Sequence, residues 1–111
     1  MKSAIENQNE FKLLCKAMAT LKDEKEFQQF LLDIMTPQEI EAISARLEVA
    51  KRLYTTDQPY RQIAKETSVS TTTVTRVNDW LTRGKGGYKK ALARLFGENH
   101  SHHNAGKSAA L

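Results

Sequence analysis

Apolar residues recur along this chain at intervals of three and four, the spacing of one helical face. Phe11, Leu14, Met18 and Leu21 form one such stripe, with Leu13 and Ala17 beside it, and predict a helix over about 10–21. Lys22 and Asp23 break the pattern. Asp23 followed by Glu26 has the spacing of a capped helix start, and the helix it opens, about 24–35, carries Phe27, Phe30, Leu31 and Ile34 on one side. The next start is sharper. Thr36-Pro37-Gln38-Glu39 places a Thr at the N-cap, Pro at the first helical position and Glu at the third. The long helix that follows, to about 54, is apolar at Ile40, Ile43, Leu47, Ala50 and Leu53, and Ala42, Ala45 and Val49 widen the stripe. So wide a face has to be covered, and in a small chain part of the cover is expected from a second subunit.

Residues 58–83 then read as two short helices, about 60–67 and 71–83, joined by a tight turn: a helix-turn-helix. With Tyr60 as its first position, the packed positions fall on Ile63, Ala64, Val69, Val74 and Val77. Ala64 supplies the small residue at the helix crossing. Ile63, Val74 and Val77 form the wedge, and Val69 closes it from the turn. Ser70 is a suitable N-cap, and a run of Ser and Thr that is poor in a helix interior suits a first turn. The helix is expected to stop at Gly84, in Gly-Lys-Gly-Gly, whose glycines allow a loop and a left-handed cap. A last helix, about 88–96, sets Leu92, Leu95 and Phe96 inward and Lys89, Lys90 and Arg94 outward. The class expected is all-α with about six helices.

Length and composition restrict the picture further. The 111 residues, 40% of them hydrophobic, suit one globular domain, expected over 9–96 between a frayed segment 1–8 and a disordered tail 97–111. No apolar run approaches membrane-spanning length, and the first ten residues hold no signal-peptide core. The single cysteine, Cys15, excludes a disulfide within one chain and reads as a small buried hydrophobe; a cytoplasmic location is expected.

Charge is unevenly placed. Residues 1–45 hold five lysines against eight acids, whereas residues 46–94 hold eleven basic residues against four acids. An acidic scaffold joined to a basic half is the distribution of a polyanion-binding protein, and the basic half contains the helix-turn-helix. Catalytic chemistry is missing. His100, His102 and His103 are the only histidines, all in the tail and without acidic or Cys partners at ligand spacing. No nucleophile–base pair and no phosphate loop can be assembled, so no enzyme, no metal site and no cofactor are expected.

Met35-Thr36-Pro37-Gln38-Glu39-Ile40-Glu41-Ala42-Ile43, then Arg46-Leu47, then a helix-turn-helix ending in Thr73-Val74-Thr75-Arg76, resemble the tryptophan operon repressor family. The similarity runs without gaps over about 9–96. It is strongest to the family's Trp-repressor-like branch, which shares Arg46-Leu47-Glu48-Val49-Ala50, Thr75-Arg76-Val77 and Gly86-Gly87-Tyr88. The resemblance implies an intertwined homodimer whose first three helices interlock, with two reading heads facing successive major grooves. Its double-stranded DNA site would be a pseudo-palindromic operator with half-sites about 34–36 Å apart.

In the repressor, two arginines flank the co-repressor's indole; they correspond to Arg46 and Arg76, and the pocket threonines to Thr36 and Thr73. This chain departs twice: Val77 stands where the repressor has Gly, and Trp80 where it has a small Ser. A Val side chain fills space that Gly leaves open, so L-tryptophan is not expected as co-repressor. Arg46 is then free to pair with an acid of the partner chain, and Arg76 to hold a phosphate. Trp80 is expected as a core ring. For DNA, Ser70, Thr71, Thr72, Thr73 and Thr75 are the candidates for base edges and phosphates, with Arg76 a turn on, and Arg61, Gln62 and Lys65 on the first helix for phosphates. The expected function is sequence-specific transcriptional regulation, as a repressor. Two alternatives stay open: a protein-interaction module in which the helix-turn-helix only packs, and a DNA-binding regulator gated by another small ligand.

Overall fold

The computed structural model describes residues 4–98. Those residues form six α-helices and no strand: α1 (Asn9–Ala19), α2 (Glu24–Ile34), α3 (Pro37–Thr55), α4 (Tyr60–Thr67), α5 (Thr71–Arg83) and α6 (Gly87–Phe96). A single 3-10 turn, Ile5–Asn7, precedes α1, inside the stretch that the sequence suggests is frayed. The three histidines and most of the expected tail lie outside the described residues. Among the described residues, no helix is long and apolar enough to cross a membrane.

The chain divides into two compact units between Ile40 and Glu41. In the N-terminal unit the helix starts are capped as their residues demand. Asp23 accepts the Glu26 N–H at 2.9 Å, and the Glu26 carboxylate accepts the Lys22 N–H. Thr36 and Glu39 form a reciprocal capping box at 2.9 and 3.1 Å. Helix α1 stops two residues short of the apolar stripe. The Thr20 hydroxyl donates to the Ala17 carbonyl, a side-chain bond that competes with the helical ladder. No side chain of α1 or α2 is buried. Leu13 is 68% exposed and Leu32 69%. Cys15, expected to be a buried hydrophobe, is exposed too, although Phe11, Leu14, Met18 and Leu21 of the neighbouring stripe are half-buried.

The C-terminal unit holds the core. Val49, Ala50, Leu53 and Tyr54 of α3 cluster with Tyr60, Ile63 and Ala64 of α4, Val74, Val77 and Leu81 of α5, and Leu92 of α6. Val69, Tyr88 and Phe96 pack against this cluster. Only the second half of α3 contributes to it, and Ile43 and Leu47 remain exposed. Each fully buried Leu, Ile or Val of the cluster contributes about 1.5–3 kcal/mol. Two contacts tie α6 down: the Tyr54 hydroxyl donates to the Gly97 carbonyl at 2.6 Å, and Lys51 Nζ lies 5.5 Å from the centre of the Phe96 ring.

Candidate nucleic-acid interface

The turn between α4 and α5 is set by two residues. Ser68 ends α4 in the left-handed conformation, φ 59° and ψ 38°, and the Val69 N–H reaches back to the Ala64 carbonyl at 3.1 Å. Ser70 then opens α5: its Oγ accepts the Thr73 N–H at 3.0 Å and lies 3.1 Å from Thr73 Oγ1. Behind the turn, Ile63, Val74 and Val77 are fully buried and Ala64 nearly so. This is the expected wedge, with Val69 closing it. The two short helices are therefore held as one body by side chains placed at helical spacing on facing sides.

The outward face of that body is polar. Thr71, Thr72, Thr75 and Arg76 are exposed on α5, and Arg61, Gln62 and Lys65 are exposed on α4. Not all of these groups are at liberty. Ser70 and Thr73 are engaged in the cap, the Thr75 hydroxyl donates to the Thr71 carbonyl at 3.1 Å, and Gln62 Nε2 donates to Glu66 at 2.9 Å. No hydrogen bond within the described residues holds the Thr72 hydroxyl or the Arg76 guanidinium. Those two side chains can meet an incoming partner without first breaking an internal bond.

Of the residues named for a ligand pocket, Thr36 caps α3 in the N-terminal unit. Arg46, half-buried on α3, lies near Tyr88 of α6. Burial pushes the Tyr88 phenol up, and the nearby Arg46 charge pulls it back down. Val77 is 0% exposed, filling the wedge. Trp80 is not the core ring expected from its type: it is 48% exposed. At this register α5 turns Leu81 into the core instead, and Trp80 falls beside Arg76 and Arg83 on the outer side. Thr75, Arg76, Asp79, Trp80 and Arg83 line an open depression of about 360 Å³ along that side, and Arg83 is paired with Asp79.

The glycines that follow α5 divide the expected roles between them. Gly84 has φ −82° and an N–H bonded to the Trp80 carbonyl at 2.9 Å; the left-handed glycine is Gly86, at φ 93°, just before α6. Lys89 Nζ reaches the Thr82 carbonyl at 3.2 Å and completes the cap.

One group carries no motif signal in the sequence. The Glu66 carboxylate on α4 accepts from Arg52 of α3, from Gln58 Nε2 in the loop at 3.3 Å and from Gln62 Nε2 at 2.9 Å. Arg52 is aligned in turn by Glu48 at 2.9 Å. The i,i+4 spacings Glu48–Arg52 and Gln62–Glu66 are legible in the sequence, but the cross-helix bond that joins them spans fourteen positions and is not.

Comparison with known proteins agrees with this geometry. The family described as Trp repressor protein matches residues 9–96. The chain is 38% identical over 82 residues to an uncharacterized protein, YerC, of Bacillus subtilis (strain 168), covering 74% of this chain and 78% of that one. Among solved structures it is similar to a TrpR like protein from Eubacterium eligens ATCC 27750, with a TM-score of 0.69 and 37% identity, over 80% of this chain and 91% of the other.

Proposed function

Because this chain belongs to the Trp repressor family, a family of DNA-binding regulators, we propose that it is a sequence-specific, double-stranded DNA-binding transcriptional repressor that acts as a homodimer. The observation that carries this reading is the polar first turn of α5, exposed on a helix-turn-helix whose wedge is fully buried. Thr72 and Thr71 address base edges in the major groove, with Thr75 behind them. Arg76, Arg61 and Lys65 address phosphates. Ser70 and Thr73 shape the first turn through the cap, and Gln62 adds a polar contact beside Arg61. The basic excess of residues 46–94 supplies the salt-dependent part of the affinity.

Dimerisation is supported by what a single chain leaves bare. Leu13, Leu32 and Ile34 of the N-terminal unit are more than half exposed, and so is Leu95 of the C-terminal unit. A second copy of the chain would cover these side chains. Residues 9–96 act as the dimerising and DNA-binding unit. A two-fold dimer reads a pseudo-palindrome with half-sites about one helical turn apart. L-tryptophan is not the switch in this reading, which rests on Val77 filling the wedge and on Arg46 lying near Tyr88. The protein works as a binding protein without a cofactor, in the compartment that holds its DNA.

Selection from a random duplex library at several salt concentrations tests the reading. A two-fold symmetric motif should emerge. Thr72→Ala should relax preference within each half-site with the salt slope unchanged, whereas Arg76→Ala or Lys65→Ala should lower that slope by about 1 for each phosphate no longer neutralised. Flat affinity for all duplexes, unchanged by these substitutions, would favour the protein-interaction alternative. Calorimetry with L-tryptophan should give no signal.

A further inference from the structure

We propose that Glu66 is a positioning residue for DNA recognition: it locks α4 onto α3 and thereby fixes the pose of the groove-reading face. The inference rests on the DNA-binding reading above. It begins from how α4 is held. That helix has eight residues, of which only Tyr60, Ile63 and Ala64 are buried. A helix so short is marginal alone, and apolar contact, being non-directional, lets it roll on its support. The bonds to Glu66 are directional. They reach it from α3 through Arg52, from the preceding loop through Gln58 and from its own helix through Gln62. Arg52 cannot swing freely, because Glu48 holds its Nε at 2.9 Å. Hydrogen bonding, from Gln62 and then Arg52, keeps the Glu66 carboxyl below its ordinary range, as a network built around the charged form requires.

What α4 does, α5 follows, since Ile63 and Ala64 pack in one core with Val74 and Val77. A small rotation of α4 moves Arg61 and Lys65 directly, and moves the first turn of α5 through the wedge. Glu66 is also a carboxylate on the helix that presents Arg61 and Lys65. Charge alone would make it a liability beside DNA, and its removal should tighten binding to any duplex. Positioning predicts the opposite sign on the preferred duplex, so the two roles separate.

The test uses the full chain with a duplex selected by the wild type and a scrambled duplex, across salt, for Glu66→Ala, Glu66→Gln, Arg52→Ala and the Glu66→Ala/Arg52→Ala pair. It adds amide hydrogen exchange of the free protein. Glu66→Ala should lose about tenfold in affinity for the selected duplex, the scale of one coupled network, while the scrambled duplex binds equally or more tightly. Glu66→Gln keeps an acceptor for Gln62 and should lose less. The double variant should lose less than the two single losses multiplied together. Amides of residues 60–67 should exchange faster in Glu66→Ala, and those of residues 87–96 should not. Equal tightening on both duplexes with unchanged exchange in α4 would overturn the proposal. A wild type that shows no sequence preference would sink the DNA reading instead, and the exchange measurement would still decide whether Glu66 locks α4.

Discussion

A Cβ placed on Gly84 would lie 2.3 Å from the carbonyl oxygen of Trp80. The atom in the way is backbone, so it cannot rotate aside as a side chain would. The chain leaves α5 here by folding tightly over its own last turn, and glycine is required for closeness rather than for a left-handed angle. Gly84→Ala should therefore destabilise the protein by about 1–3 kcal/mol, the range of an overpacked contact, as read by urea denaturation. Gly86→Ala meets no atom within 4 Å, and its cost should come from the positive φ alone.

Ser68 is the only non-glycine residue at positive φ among the described residues, and it sits in the turn of the helix-turn-helix. A β-branched side chain in that conformation crowds the following carbonyl. Ser68→Val should cost about 1–2 kcal/mol. Ser68→Gly should be neutral or slightly stabilising, because relief of strain is offset by the entropy of the unfolded glycine. Thermal denaturation of the two variants should rank them in that order.

Ser70 and Thr72 lie two residues apart on the same exposed turn yet should respond in opposite assays. Ser70→Ala removes the acceptor for the Thr73 N–H and should lower stability by about 1 kcal/mol. Thr72→Ala breaks no internal bond and should leave the denaturation midpoint within about 0.5 kcal/mol of wild type while altering the selected DNA motif. Equal stability loss in both would mean that the Thr-rich turn serves the fold alone.

The lowered Glu66 pKa carries a signed pH dependence. Its ordinary value is 4.5, and the folded value lies below that. The stability it contributes is complete above 4.5 and is lost as pH falls through the folded value. Gln at this position does not titrate. The gap in urea midpoint between wild type and Glu66→Gln should therefore be constant at neutral pH and shrink in acid; a gap unchanged down to the acid limb would remove Glu66 as the source.

Local chemistry is what the chain states openly. The bounds of α4 and α5 follow from Ser70 as a cap, from the turn residues and from apolar spacing, all acting within a few residues. The capping box at Thr36–Glu39 is legible for the same reason, and so is the wedge of Ile63, Val74 and Val77. Family membership follows from those same motifs in their order and separations.

Burial is a different matter, since it depends on which distant segment arrives to cover a side chain. Residue type suggests a buried Trp80 and a buried Cys15, and both are exposed. Leu81 takes the inward position on α5, one residue beyond Trp80, because the core built by α3 and α6 lies on that side. The bond from Arg52 to Glu66 joins two ordinary i,i+4 pairs across fourteen positions, and no local pattern marks it. Helix ends and helix faces are settled by interactions within a turn or two of chain. The orientation of the reading head on its support is settled by contacts between helices, which form only once the chain has packed.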